Sequence, residues 1–126
     1  MNSSGMVPAG TELAREMGLS EEMAECIDNC RSCELVCLGM ATGHCLRKGG
    51  RHVEEDHLRT MIVCARTCAL AAEVLTTGSS LHRQMCAVCA DVCDACIASC
   101  EDLDEMELCI EACRRCKDSC EAMTDM

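Results

Sequence analysis

Between Cys26 and Cys37 the chain reads CIDNCRSCELVC, with cysteines at steps of four, three and four residues. The rhythm returns in CAVCADVCDACIASC (Cys86, Cys89, Cys93, Cys96, Cys100) and in CIEACRRCKDSC (Cys109, Cys113, Cys116, Cys120). Steps alternating between three and four keep side chains on one helix face, whereas a strand would demand a period of two. Each stripe is therefore the seam of a helix, and several such seams are buried together only in a bundle.

That bundle has an unusual filling. The chain of 126 residues is one domain with a modest core, and 49% of its residues are apolar, yet it holds no Phe, Tyr or Trp. Sixteen cysteines take their place. A net charge of −11 argues against nucleic acid as a partner, because phosphate binding needs clustered Lys and Arg. The acidic residues alternate with cysteines and form a solvated outer face. No stretch reaches the roughly 18 apolar residues that a membrane span needs. The opening MNSSGMVPAGTELAREMG lacks a basic segment followed by an apolar one, so no secretory signal is expected and the expected address is cytoplasmic. Thiols in that compartment stay reduced, which directs cysteine towards metal or redox chemistry.

The punctuation predicts an all-α, up-down-up-down four-helix bundle over 19–126, preceded by an arm over 1–18 in which TELAREM forms one or two turns. Ser20 caps the first long helix, with Glu21 and Glu22 in its first turn, and Gly43 ends it. GHCLRKGGR reads as a basic, glycine-rich loop. A second helix is expected from about His52 to Thr77, ending at Gly78. Ser79 or Ser80 caps a third that runs to about Asp102. Asp104 with Glu107 reads as a capping box for the fourth.

The inward stripes then follow. The first helix presents Met23, Cys26, Cys30, Cys33, Cys37 and Met40, with His44 beyond. The second presents His57, Met61, Cys64, Cys68, Ala71 and Leu75. The third presents His82 and its five cysteines, and the fourth Met106, its four cysteines and Met123. Antiparallel pairing sets expected levels: Cys37 with Met61, Cys33 with Cys64, Cys30 with Cys68, Cys26 with Ala71. In the other hairpin Cys96 meets Cys109, Cys93 meets Cys113, Cys89 meets Cys116 and Cys86 meets Cys120. One end then holds Met23, Leu75, His82 and Met123. The other holds Met40, His57, Cys100 and Met106, with His44, Cys45 and His52 in the loop above.

Packing alone does not explain such a seam. Cysteine is small, and at roughly 24 cal/mol per Å³ an unfilled core is costly. Ile27, Leu35, Leu38, Ile62, Val88, Val92 and Ile110 are expected to hold the metal-free bundle together. Disulfides along a helix are disfavoured too, because Cβ atoms at i and i+4 lie about 5–6 Å apart and a disulfide wants about 3.5–4.5 Å. A metal bridging two sulfurs spans the gap. Soft thiolates together with thioethers select Cu(I), and Met23, Met40, Met61, Met106 and Met123 continue the seam with such thioethers. One Cu(I) per thiolate makes the lining neutral, which favours a filled cluster over a few isolated sites.

The repeated helical C-x₃-C-x₂-C-x₃-C resembles the bacterial copper storage proteins, in particular their cytosolic branch. The resemblance spans about residues 20–123 and implies reversible, high-capacity Cu(I) storage, loading at one bundle end, and tetramers. Carried over, the ligands are Cys26, Cys30, Cys33, Cys37, Cys64, Cys68, Cys86, Cys89, Cys93, Cys96, Cys100, Cys109, Cys113, Cys116 and Cys120, with Cys45 beside the mouth. Helix two departs from the pattern, since it brings only two cysteines and sets Ala71 and Leu75 in the seam.

The expected function is thus a store and not an enzyme. A di-iron bundle needs inward Glu from two helices and Glu-x-x-His from two more, and only EEDH (Glu54 to His57) fits. A thiol redox enzyme needs one distinctive cysteine beside a basic group. A metallothionein-like Zn(II) or Cd(II) buffer is the alternative. Copper is expected to arrive from small thiols or a copper chaperone, through the end holding His44, Cys45, His52 and His57. Arg47, Lys48 and Arg51 would draw anionic thiolate complexes to that end.

Overall fold

The computed structural model describes Glu12 and residues 15–126. Of the expected turns over TELAREM, Glu12, Arg15 and Glu16 are helical, Met17 lies in the turn that follows, and Thr11, Leu13 and Ala14 lie outside the described residues. Four long helices follow: α1 (Glu21–Thr42), α3 (Glu55–Thr76), α4 (His82–Glu101) and α5 (Glu107–Met123). A short α2 (His44–Lys48) and a 3₁₀ turn (Gly50–Val53) join α1 to α3. α1 packs on α3 and α5, and α4 packs on the same two, closing an antiparallel square.

Ser20 caps α1 as expected, its Oγ accepting from the Met23 N–H at 3.1 Å. α1 stops at Gly43, which is not left-handed (φ −122°). Glycine is needed there for space, because a Cβ would sit 2.9 Å from the Gly39 carbonyl oxygen. α3 ends before Gly78, whose φ of +74° suits glycine.

Three boundary expectations need correction. The stretch read as a loop is instead α2 and the 3₁₀ turn, and the second long helix starts at Glu55, not near His52. Neither serine occupies the N-cap of α4, which is Leu81. Ser79 Oγ instead accepts from the Leu81 N–H at 3.0 Å in the turn before the helix. The capping box at Asp104 does not form. Met106 is the N-cap of α5 without a side-chain hydrogen bond, and the Asp104 carbonyl accepts from His52 Nε2 at 2.8 Å.

The core is built from small side chains. All sixteen cysteines are fully buried, interleaved with Ala24, Ala65, Ala71, Ala72 and Ala90. The largest fully buried side chains are Met61, Leu75, Met106 and Met123, all flanking the cysteine seams. Bulk therefore closes the bundle at its ends while thiols fill its middle. The expected apolar flank is much thinner than predicted. Leu35 is 71% exposed and Val88 49%, Leu38 and Ile62 are exposed too, and only Ile27 is buried. Val92 and Ile110 are half-buried against the core. The chain follows the cysteine stripe so strictly that most larger aliphatics are left outside it.

Candidate metal centre

Cross-helix sulfur contacts establish the register. Cys37 lies 3.5 Å from Cys109 and Cys33 lies 3.6 Å from Cys113, which joins α1 to α5. Cys68 sits 3.8 Å from Cys93 and Cys89 sits 3.8 Å from Cys116. Cys26 approaches Cys120 to 3.7 Å. The two hairpins thus meet in the expected alignment. Cys64 meets Cys33 at 3.9 Å as expected and reaches Cys37 at 4.0 Å as well, while Met61, expected opposite Cys37, lies 3.8 Å from Cys45.

Fourteen of the sixteen thiols, all but Cys45 and Cys100, fall into groups whose sulfurs lie within 4.8 Å of one another. The groups overlap. Cys33 and Cys37 each belong to two, as do Cys113, Cys116 and Cys120. Isolated tetrahedral sites, which structural zinc requires, cannot share their ligands in this way. A continuous thiolate cluster can, and among the described residues no carboxylate joins these groups. The only group of three, Cys26 with Cys86 and Cys120, lies where α3 contributes Ala71 to the seam.

The thiols are all free and share their protons. Cys37 is pushed well above the usual thiol range by hydrogen bonds with Cys109 and Cys113, with burial adding to the shift. Cys100 is drawn down to about 4 by hydrogen bonds from Cys109 and then Cys96, with His57 nearby. Cu(I) replaces such shared protons with a soft cation that each sulfur can bridge.

Above the seam, on the α2 side, soft donors form a short ladder. His57 Nε2 lies 3.6 Å from Cys45 Sγ, and Cys45 Sγ lies 3.8 Å from Met61 Sδ. Ser99 Oγ holds the other ring nitrogen, Nδ1, at 2.8 Å. This places a hydroxyl where metal-binding histidines usually find a partner that sets tautomer and orientation. Burial lowers the His57 imidazole and raises the Cys45 thiol from their ordinary values, so both resist charging in the metal-free state. Met106 is fully buried and Met40 half-buried against the core. His44 stands edge-on to His52 at 5.6 Å, outside the sulfur ladder.

Two expectations about this end are corrected. Cys45, placed in a loop above the bundle and so expected to be an exposed thiol, is fully buried. The reason is a clamp: Lys48 pairs with Glu105 at 2.6 Å, Arg51 donates to the Asp102 carbonyl at 3.3 Å, and His52 donates to that of Asp104. These contacts pull α2 and the 3₁₀ turn down onto the α4–α5 connection. Two of the three basic residues of the loop face carboxylates. Besides Lys48 with Glu105, Arg51 faces Glu54 at 4.0 Å, and a surface pocket of about 400 Å³ that reaches His57 and Ser99 is lined by Arg51 and by four acidic residues, Glu54, Glu55, Asp56 and Asp102. Ser99 escaped the sequence reading because it lies one position off the seam. Its neighbour Cys100, already expected beside His57, was the signal that could have found it.

The pattern of the copper storage protein family matches residues 19–125. The uncharacterized cysteine-rich protein YhjQ of Bacillus subtilis (strain 168) is 35% identical over 86 residues, which cover 67% of this chain and 79% of that protein. The crystal structure of the Nmul_A1745 protein from Nitrosospira multiformis superposes with a TM-score of 0.81 at 46% identity, covering 83% of this chain and 96% of the other. A Cu(I)-bound copper storage protein, BsCsp3, gives a TM-score of 0.71 at 34% identity over 79% of this chain and 94% of its own. With the thiol-lined square of helices and a match over nearly its whole length, this chain belongs to the copper storage protein family.

Proposed function

We propose that the bundle is a high-capacity Cu(I) store whose thiolates form one continuous cluster. The observation that carries this reading is the overlap of the buried sulfur groups, which lets every ion share ligands with the next. Charge sets the load. Sixteen thiolates without metal would be far too costly to bury, and one Cu(I) each leaves the lining neutral. Anaerobic titration of reduced protein with Cu(I), and separately with Zn(II), tests this. At least about a dozen Cu(I) per chain are expected from one ion per thiolate, with far fewer Zn(II). Saturation at two to four Cu(I) would overturn it.

Copper passes through the end that carries His57. The acidic pocket leads to an imidazole fixed by Ser99, and from there Cys45 and Met61 descend to the seam. Because that rim is acidic, a cationic donor surface or the ion itself suits it better than an anionic thiolate complex. His44 and Met40 flank this route. A cytoplasmic setting fits the free thiols. Leu35 and Leu38 on α1, with Ile62, Val63 and Leu70 on α3, are exposed apolar residues that suit burial between copies, and the family resemblance suggests a tetramer.

A further inference from the structure

The opposite end of the bundle carries an imidazole that neither the fold nor the loading route uses. His82 is only 4% exposed. Its Nδ1 lies 2.9 Å from the Ser79 carbonyl oxygen, which can only accept, so Nδ1 carries the proton. Nε2 is then a bare lone pair. It is buried and has no hydrogen-bond partner. Leaving such a nitrogen unpaired costs about 1–3 kcal/mol, so it needs an explanation.

We propose that His82 Nε2 and Cys86 Sγ form a terminal Cu(I) site that closes the cluster at the Leu75 end. This rests on the storage reading above and adds a nitrogen donor to it. His82 stands four residues before Cys86 on α4, the same spacing as Cys26 to Cys30 on α1. Side chains at that spacing have Cβ atoms about 5–6 Å apart. Metal–nitrogen and metal–sulfur bonds of about 2.0 and 2.3 Å, taking the zinc values as a guide, span it without breaking the helix. The position also needs such a ligand. Cys86 belongs to the sulfur group of three, and the α3 stripe offers this end no further thiol, since three positions beyond Cys68 it carries the buried Ala71. Met23 and Met123 lie one helical turn outside Cys26 and Cys120, so the same outer level offers thioethers. An ion held by one thiolate and one neutral imidazole is itself neutral, which suits a sealed apolar end. On binding, Cys86 releases its proton to solvent and copper remains Cu(I).

The test uses the full chain labelled with ¹⁵N-histidine and titrated anaerobically with Cu(I) alone. His82 is assigned by its absence from H82Q. The His82 Nε2 resonance is expected to leave the free, unprotonated position for the metal-bound one by saturation. H82Q, with unchanged helical content, should bind about one Cu(I) fewer, since it loses one soft donor site. A loaded protein whose His82 Nε2 stays unmoved, with full load retained in H82Q, would overturn this site and leave storage intact. A chain that takes up no Cu(I) would overturn both. If H82Q does not fold, the resonance in the unmodified chain still decides.

Discussion

The two ends of this bundle are made of similar residues and are covered in different ways. At the α2 end, Met61 and Met106 are buried beneath a histidine that is hydrogen-bonded, adjacent to a thiol, and reached from a surface pocket. At the other end Leu75 and Met123 are buried beside a histidine with one nitrogen turned to backbone and the other unpartnered. The difference lies in what covers them. The first end is roofed by polar contacts, Lys48 to Glu105 and His52 to the Asp104 carbonyl, which are individually weak and can open. The second is plugged by aliphatic bulk. A store needs both, one end that exchanges and one that does not.

The largest break in that contrast is Leu75→Ala. If Leu75 is a packed plug, the metal-free protein loses about 2–5 kcal/mol by chemical denaturation, as for other buried Leu→Ala changes. A loss under about 1 kcal/mol would mean this end is already loose. Next comes the mouth. H57A combined with C45A should slow Cu(I) loading and chelator-driven release by about 10–100-fold, the range for disrupted metal ligation, and leave most of the capacity. Stopped-flow measurement checks this, and unchanged rates would move the door to the Leu75 end. Ser99→Ala sharpens the same point more gently. It frees the His57 ring without removing a ligand, so loading slows by about tenfold, at the low end of that range, while the final load is unchanged.

The smallest effect is pH-dependent. Burial holds the folded His57 value below its ordinary one, so at pH below about 6.5 the unfolded chain binds more protons at this site than the folded chain. Its contribution to metal-free stability is therefore intact above that pH and shrinks as pH falls. Urea midpoints of the apo protein between about pH 7 and pH 5 should fall more steeply than those of H57Q. Equal slopes would show that His57 titrates as a solvent-exposed ring.

Much of the fold is legible because its rule is so simple. The cysteine stripes fix the facing sides of the four long helices, and antiparallel hairpins then set the levels. Cys89 beside Cys116 follows from counting alone, whereas Cys26 beside Cys120 also depends on how one hairpin is set against the other. The misses cluster where counting ends. Cys45, which meets Met61 at 3.8 Å, sits at a level that no stripe specifies, because it lies on α2, beyond the end of α1 at Gly43. The loop's Lys48 and Arg51 look free in sequence, and only the tertiary structure brings Glu105 to Lys48 and the Asp102 carbonyl to Arg51.

What the sequence determines by itself is the chemistry of the interior. A period between three and four puts every seam thiol inward, and soft donors without carboxylates select a soft ion. What only the tertiary structure decides is direction. Which end carries a polar roof depends on contacts between residues about fifty positions apart, such as Lys48 with Glu105 and His52 with Asp104. Periodicity constrains faces within a helix, while a roof is held by individual polar pairs with no period to read.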